Sequence, residues 1–184
     1  MPYALEGIRV LDLSRLIPGP YCSLILADMG AEVIKVEEPG FGDYIRWMPP
    51  MIHGKSYRYL VLNRNKKSIT LDLKSSEGRD IFLKLASKSD VVLESFRPGV
   101  AKRLRISYDE LKPVNPRIIY CAISGYGQDG PYRDLSGHDI NYIGYGGVLG
   151  ITGRKGELPV IPGVQIADVG GGGMLAAISI LTAI

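Results

Sequence analysis

GIRVLDLSRLIPGPYCSLILADMGAEVIKV, residues 7–36, holds a strand, a helix and a second strand in immediate succession. Residues 7–13 form a short apolar run of the kind that makes a buried strand. Pro18-Gly19-Pro20 interrupts it, and residues 21–29 then read as a helix. Gly30 stands where a left-handed cap would close that helix, and residues 33–36 resume as strand.

The same alternation continues outward. Residues 39–59 carry Pro39, Gly40, Gly42, Pro49, Pro50 and Gly54 among scattered aromatics and read as a long, functional loop. A third strand is expected over residues 68–73. Ser75-Ser76-Glu77 opens a helix that turns Ile81, Phe82 and Leu85 to one face. Residues 90–94 are a fourth strand, and residues 117–123 a fifth. Between them, Ser107-Tyr108-Asp109-Glu110 has capping-box spacing and starts a short helix that ends before Pro113. Strands alternating with helices at this pace predict an α/β fold: a Rossmann-like, open, mostly parallel sheet with flanking helices, in one domain spanning residues 1–184. Ligands of such sheets sit beyond the strands' carboxyl ends, which singles out the loops after Leu73, Glu94 and Ile123.

Composition narrows the function. Of 184 residues, 46% are hydrophobic and 22% charged, the balance of a soluble globular protein. A net charge of +3 is too mild for a dedicated nucleic-acid binder. Cys22 and Cys121 lie far apart among apolar neighbours and read as buried thiols of a reducing compartment. Met1-Pro2-Tyr3-Ala4 has no basic and apolar leader pattern, so a cytoplasmic location is expected. Residues 174–184, MLAAISILTAI, are apolar on every side yet too short to span a membrane, and no membrane partner is expected. Such a helix belongs inside a protein. With no polar closing turn after it, the domain is expected to be incomplete at its carboxyl end.

Several motifs fail. Gly125-Tyr126-Gly127-Gln128-Asp129-Gly130 fits G-x-G-x-x-G, but Pro131-Tyr132-Arg133-Asp134 follows where a dinucleotide site needs a helix. His53-Gly54-Lys55-Ser56 echoes a P-loop, with Pro49 where its first glycine belongs. His53 and His138 are the only histidines, so metal ligands at zinc spacing are too few. G-x-S-x-G does not occur.

What remains is Gly137-His138-Asp139-Ile140-Asn141-Tyr142 and Asp168 before four glycines. Histidine titrates near neutrality and can accept and return a proton, and Asp139 could hold one of its ring nitrogens. Asp168 reads equally as a helix N-cap, as a proton-carrying carboxyl in apolar surroundings, or as a nucleophile. Arg97 and Arg103, with Lys74, suit the oxygens of a polyphosphate, whereas Lys102 and Arg105 read as solvated surface.

LDLSRLIPGPYCSLILADMGAEVIKVE, KKSITLDLK, SDVVLESFRPGV, NPRIIYCAISGYGQDGP, GHDINY and ADVGGG, taken in order, resemble the family III (CaiB/BaiF-type) CoA-transferase superfamily, and within it most the α-methylacyl-CoA racemases. The resemblance implies an acyl-CoA substrate on a Rossmann-like large domain of an interlocked homodimer. It implies no cofactor beyond the CoA of the substrate, and no metal. It matches His138 and Asp168 to the racemases' catalytic pair. It also places Leu71, Asp72, Leu73, Lys74, Arg97, Arg103 and the loop Gly137, His138, Asp139, Ile140, Asn141 and Tyr142 at the CoA-binding surface.

Residues 35–43, with Glu38 where racemases commonly carry arginine, are more similar to the CoA transferases, in which the residue matching Asp168 is the covalent nucleophile. Those transferases generally lack the racemases' histidine, so the resemblance at His138 makes epimerisation at C2 of 2-methylacyl-CoA thioesters the expected activity. CoA transfer between carboxylic acids through Asp168 is the first alternative, and a non-catalytic fragment that binds CoA the second.

Overall fold

A computed structural model describes residues 3–184. Five parallel strands make the main sheet: β1 (Arg9–Asp12), β2 (Glu32–Glu37), β5 (Lys66–Thr70), β6 (Val91–Glu94) and β7 (Ile119–Ala122). Their spatial order is β5-β2-β1-β6-β7. The chain builds outward from β1 in one direction, then crosses back to build in the other. This is a Rossmann-type order, and it opens a crevice between β1 and β6. Helices cover both faces: α1 (Pro18–Asp28), α3 (Ser76–Ala86), the one-turn α4 (Val100–Arg103) and α5 (Tyr108–Leu111), α6 (Asp139–Tyr145) and α7 (Leu175–Ala183).

The pleat explains the two cores. Val10, Val91 and Leu93 point to the face covered by α1 and α7, where Cys22, Leu26, Ala177 and Ile180 pack. Leu11 and Val92 point to the other face, against Phe82, Ala86, Leu111 and Ile118. α1 begins at Pro18, three residues earlier than the apolar pattern suggests, because proline is already set for the first helical position. Gly19 follows because a Cβ there would stand 2.1 Å from the Ser14 side chain. Ser75 caps α3 by accepting from the Gly78 N–H at 3.0 Å, and the Glu110 carboxylate accepts from the Ser107 N–H at 2.9 Å ahead of α5.

Three expectations need correction. Residues 39–59 are not an open loop. They hold a 3₁₀ turn (Tyr44–Trp47), the hairpin strands β3 (Met51–Ile52) and β4 (Lys55–Ser56), and the start of α2 (Tyr57–Leu62). Buried polar groups, which apolar periodicity does not register, fold this excursion down. Glu37 accepts from the Asp43 N–H at 3.0 Å, from Arg46 Nε at 2.7 Å and from the Ser68 hydroxyl at 2.8 Å. Lys35 Nζ lies 2.9 Å from the Asp43 carboxylate, with both side chains buried. Second, Ile81 is 46% exposed although Phe82 beside it is fully buried, so the apolar face of α3 is narrower than expected.

Third, the terminal helix is neither short nor wholly buried. A π-helical segment, Ile166–Met174, runs straight into α7, giving 18 residues apolar and long enough to cross a membrane by length and composition. Ala176, Ala177 and Ile180 are buried, whereas Leu175 and Ile178 are more than half exposed. The apolar periphery thus exceeds what α1 and the sheet can cover. Cys22 is buried and Cys121 half-buried, and both are free thiols.

Candidate functional site

The carboxyl ends of all five parallel strands open into one cavity of about 1260 Å³. Arg15 and Leu16 follow β1, Glu38 follows β2, and Leu73 with Lys74 follow β5. Ser95, Phe96 and Arg97 follow β6, while Ile123 and Ser124 follow β7. His138 and Asp168 line the same cavity. A smaller cavity, about 500 Å³, lies at the strands' amino ends beside Asp90 and Arg117 and contains neither group.

Charge is the cavity's dominant property. Arg15, Lys74, Arg79, Arg97, Arg103, Arg105 and Arg133 line it, against the carboxylates of Glu38 and Asp168. This excess suits a ligand with several negative charges. Arg105, read as surface from the sequence, is therefore a lining residue, as are Arg15, Arg79 and Arg133, which the sequence did not single out. Arg15 could have been found, because the rule that points beyond strand ends applies to β1 as well. Its guanidinium donates to the Tyr44 hydroxyl at 3.0 Å, lies 3.3 Å from Glu38, and stands 5.1 Å from the centre of the Tyr44 ring. Arg79 sits one turn into α3, where local sequence carries no sign of it.

The other sequence candidates divide. Leu73, Lys74, Arg97, Arg103, Gly137, His138, Tyr142 and Asp168 line the cavity. Leu71 packs against the core under α3. Asp72 turns back to accept from the Lys74 N–H at 3.0 Å, which shapes the turn that carries the lysine. Ile140 is 40% exposed and does not line the cavity. Asn141 accepts from the His138 N–H at 2.9 Å and so closes the amino end of α6, for which His138 is the N-cap residue.

Asp139 is bound differently from the expectation. Its carboxylate accepts from the backbone N–H of Asp168 at 2.8 Å rather than holding the imidazole. Tyr142 donates to the Gly137 carbonyl at 2.6 Å, and its ring fills the space over Gly125 and Gly137. A Cβ at either glycine would meet that ring, at 2.3 and 2.8 Å. The first glycine of the G-x-G-x-x-G run thus makes room for a tyrosine, and the next helix starts only at Asp139.

Asp168 is half-buried in the first turn of the π-helix. Burial pushes its carboxyl above the usual range; Asp139 pushes in the same direction and His138 pulls it back. Burial likewise raises the Tyr142 phenol, with Asp168 adding to it and Arg97 opposing. Wide π-helical winding often marks functional sites. Here it brings Gly171 and Gly172 to the cavity wall, while Gly173 fits beneath the Pro18 carbonyl, 2.9 Å from where a Cβ would be. Such a site can hold a polyanionic ligand along the strand ends and present an imidazole and a partly desolvated carboxyl at its far end.

The sequence profile of CoA-transferase family III matches residues 5–184. The chain belongs to CoA-transferase family III. The α-methylacyl-CoA racemase of Homo sapiens is 42% identical over 181 residues, which cover 98% of this chain and 44% of that protein. The succinyl-CoA:glutarate CoA-transferase of Homo sapiens is 43% identical over 169 residues, 91% of this chain and 39% of that protein. Among solved structures, a CaiB/BaiF family protein from Brucella suis superposes with a TM-score of 0.92 at 37% identity, covering 100% of this chain and 49% of that one. This family III chain spans less than half the length of these relatives.

Proposed function

We propose that the protein carrying this chain epimerises C2 of 2-methylacyl-CoA thioesters. One observation carries the reading: His138 and Asp168 line the same cavity, and burial raises the Asp168 carboxyl above its ordinary value. Lys74, Arg97 and Arg103 bind the CoA phosphates along the strand ends, and the thioester lies between the two groups. One of them takes the C2 proton while the electron pair moves onto the carbonyl oxygen, forming an enolate. The other delivers a proton to the opposite face. Backbone N–H groups of the glycine-rich wall donate to the enolate oxygen. The two bases end a turnover with their protons exchanged, so each epimer meets the opposite protonation state. CoA enters as part of the substrate, and the steps use neither metal nor redox cofactor.

A second reading is CoA transfer between carboxylic acids, with Asp168 forming a mixed anhydride with the acyl group and then a thioester with CoA. Its support is that a CoA-transferase matches the chain as closely as the racemase does, at 43% against 42% identity. We also propose a homodimer in which a second subunit covers the exposed apolar residues Ile151, Leu158, Val160, Ile161 and Val164.

The intact protein in deuterated water should exchange the C2 proton of either epimer, and His138→Ala should lose about 10²–10⁴-fold of that rate. Undiminished exchange in the variant would overturn the two-base reading. Hydroxylamine trapping of an acylated Asp168, without C2 exchange, would decide for transfer.

A further inference from the structure

The two proposed acid–base groups are carried by different segments, one ahead of α6 and one in the π-helix. Among the described residues a single hydrogen bond joins these segments: the Asp139 carboxylate accepts from the Asp168 N–H at 2.8 Å. Its two ends are unusually placed. The acceptor residue follows His138 directly, and the donor is the backbone amide of Asp168 itself. The bond therefore ties the two segments together through the Asp139 side chain alone. Asn141 and Tyr142 hold the His138 side of this joint, through the His138 N–H and the Gly137 carbonyl, so the loop on which Asp139 stands is itself braced.

We propose that Asp139 is the positioning residue of this site, setting the separation of His138 and Asp168 through its bond to the Asp168 amide. Its charge acts on Asp168 in addition. This rests on the acid–base reading above. Asp139 is absent from the cavity wall, so it acts through Asp168 and not on substrate.

The ionisable groups around Asp168 are few. Asp139 raises its carboxyl after burial does, and His138 lowers it. Tyr142 of α6 stands close enough for Asp168 to act on its phenol, and Arg97 acts on Tyr142 from the β6 side. α7 has no ionisable side chain, and α1 brings Tyr21 against Gly173. Among the described residues Asp139 is thus the one neighbouring carboxylate, and removing its charge should lower the proton affinity of Asp168.

Two substitutions separate the roles. Asp139→Asn keeps an oxygen that accepts from the Asp168 N–H and loses the charge; Asp139→Ala loses both. In the intact protein, Asp139→Asn should move the limb of the pH profile that reports Asp168 to lower pH. Asp139→Ala should lose kcat by about tenfold or more at unchanged KM, since small misplacements of reacting groups are costly. Carboxyl carbon shifts of labelled Asp168, followed by NMR against pH, read the same proton affinity without turnover and also report whether the alanine variant is folded.

If the parent is active and both variants match it in kcat and pH profile, the positioning role is overturned and the acid–base reading stands. If the parent neither exchanges nor transfers while Asp139→Asn still lowers the Asp168 titration, the acid–base reading falls and only the coupling of Asp139 to Asp168 stands. An Asp168 titration unmoved by Asp139→Asn overturns the electrostatic half directly.

Discussion

The sheet and its excursion, up to Ala122, and the segment after it are built on opposite plans. In the first, even charges are buried: Asp12, Lys35, Glu37, Asp43 and Lys66 are all inside, each with partners. In the second, large apolar groups stand outside: Ile151 is 84% and Leu158 88% exposed. The cavity lies at the seam, with cationic strand-end loops from the first region and His138 and Asp168 from the second. A floor of paired, buried charges meets a wall whose apolar groups are exposed, and His138 and Asp168 sit where the two touch.

The largest test attacks the floor. Asp12 accepts from the Ser14 N–H at 2.9 Å and from the Ser23 hydroxyl at 2.5 Å, and it lies 3.4 Å from Lys66 Nζ. Burial pushes its carboxyl up, but Lys35, Lys66 and the two hydroxyls outweigh this and hold it at about 2. Burial also brings Lys66 down to about 8, because Pro20, Ser23 and Asn63 replace its water only in part. Asp12→Ala strands that ammonium and should cost about 3–5 kcal/mol in urea unfolding. A carboxyl held low in the native state favours folding above its ordinary value and ceases to do so as pH falls through about 2. The variant should accordingly lose part of the parent's acid sensitivity between 3.8 and about 2. A loss under about 1 kcal/mol would remove the contrast between floor and wall.

A middle-sized effect is expected at the seam. Burial lifts the Glu94 carboxyl to about 6, against the Phe96 N–H at 2.6 Å and the Tyr120 hydroxyl at 3.2 Å. A native carboxyl raised in this way weakens folding as pH climbs from 4.5 through about 6. Glu94→Gln should thus gain stability over the parent by roughly 2 kcal/mol more at neutral pH than at 4.5, read from paired melting curves. Equal gains at both pH values would show that Glu94 titrates normally.

The smallest effect, at Gly171 beside the tighter Gly173, sharpens the wall. Gly173→Ala meets the Pro18 carbonyl and should cost about 1–3 kcal/mol. Two residues earlier, a Gly171 Cβ has only the Ile166 carbonyl near it, at 3.9 Å. Gly171→Ala should leave melting unchanged or raise stability by up to about 1 kcal/mol, while its methyl group enters the cavity and raises KM.

The fold was readable where one-dimensional pattern is enough. The apolar runs of β1, β2 and β6, the Ser75 cap and the Ser107–Glu110 box each declare themselves within a few residues. The excursion after β2 was not readable, because what folds it is Glu37 and Lys35 reaching across to Asp43, Arg46 and Ser68. At the site, His138 and Asp168 stood out as residue types, but their common cavity depends on packing over thirty positions of chain. The role of Asp139 was misjudged for the same reason: its bond partner is a backbone amide, which leaves no trace in residue identity.

Seven cationic side chains line one cavity with two carboxylates to offset them. They repel one another, and a guest rich in phosphate would relieve that repulsion. Saturating CoA should therefore raise the melting temperature, and its affinity should fall steeply with added salt, as counterions take over the neutralising work.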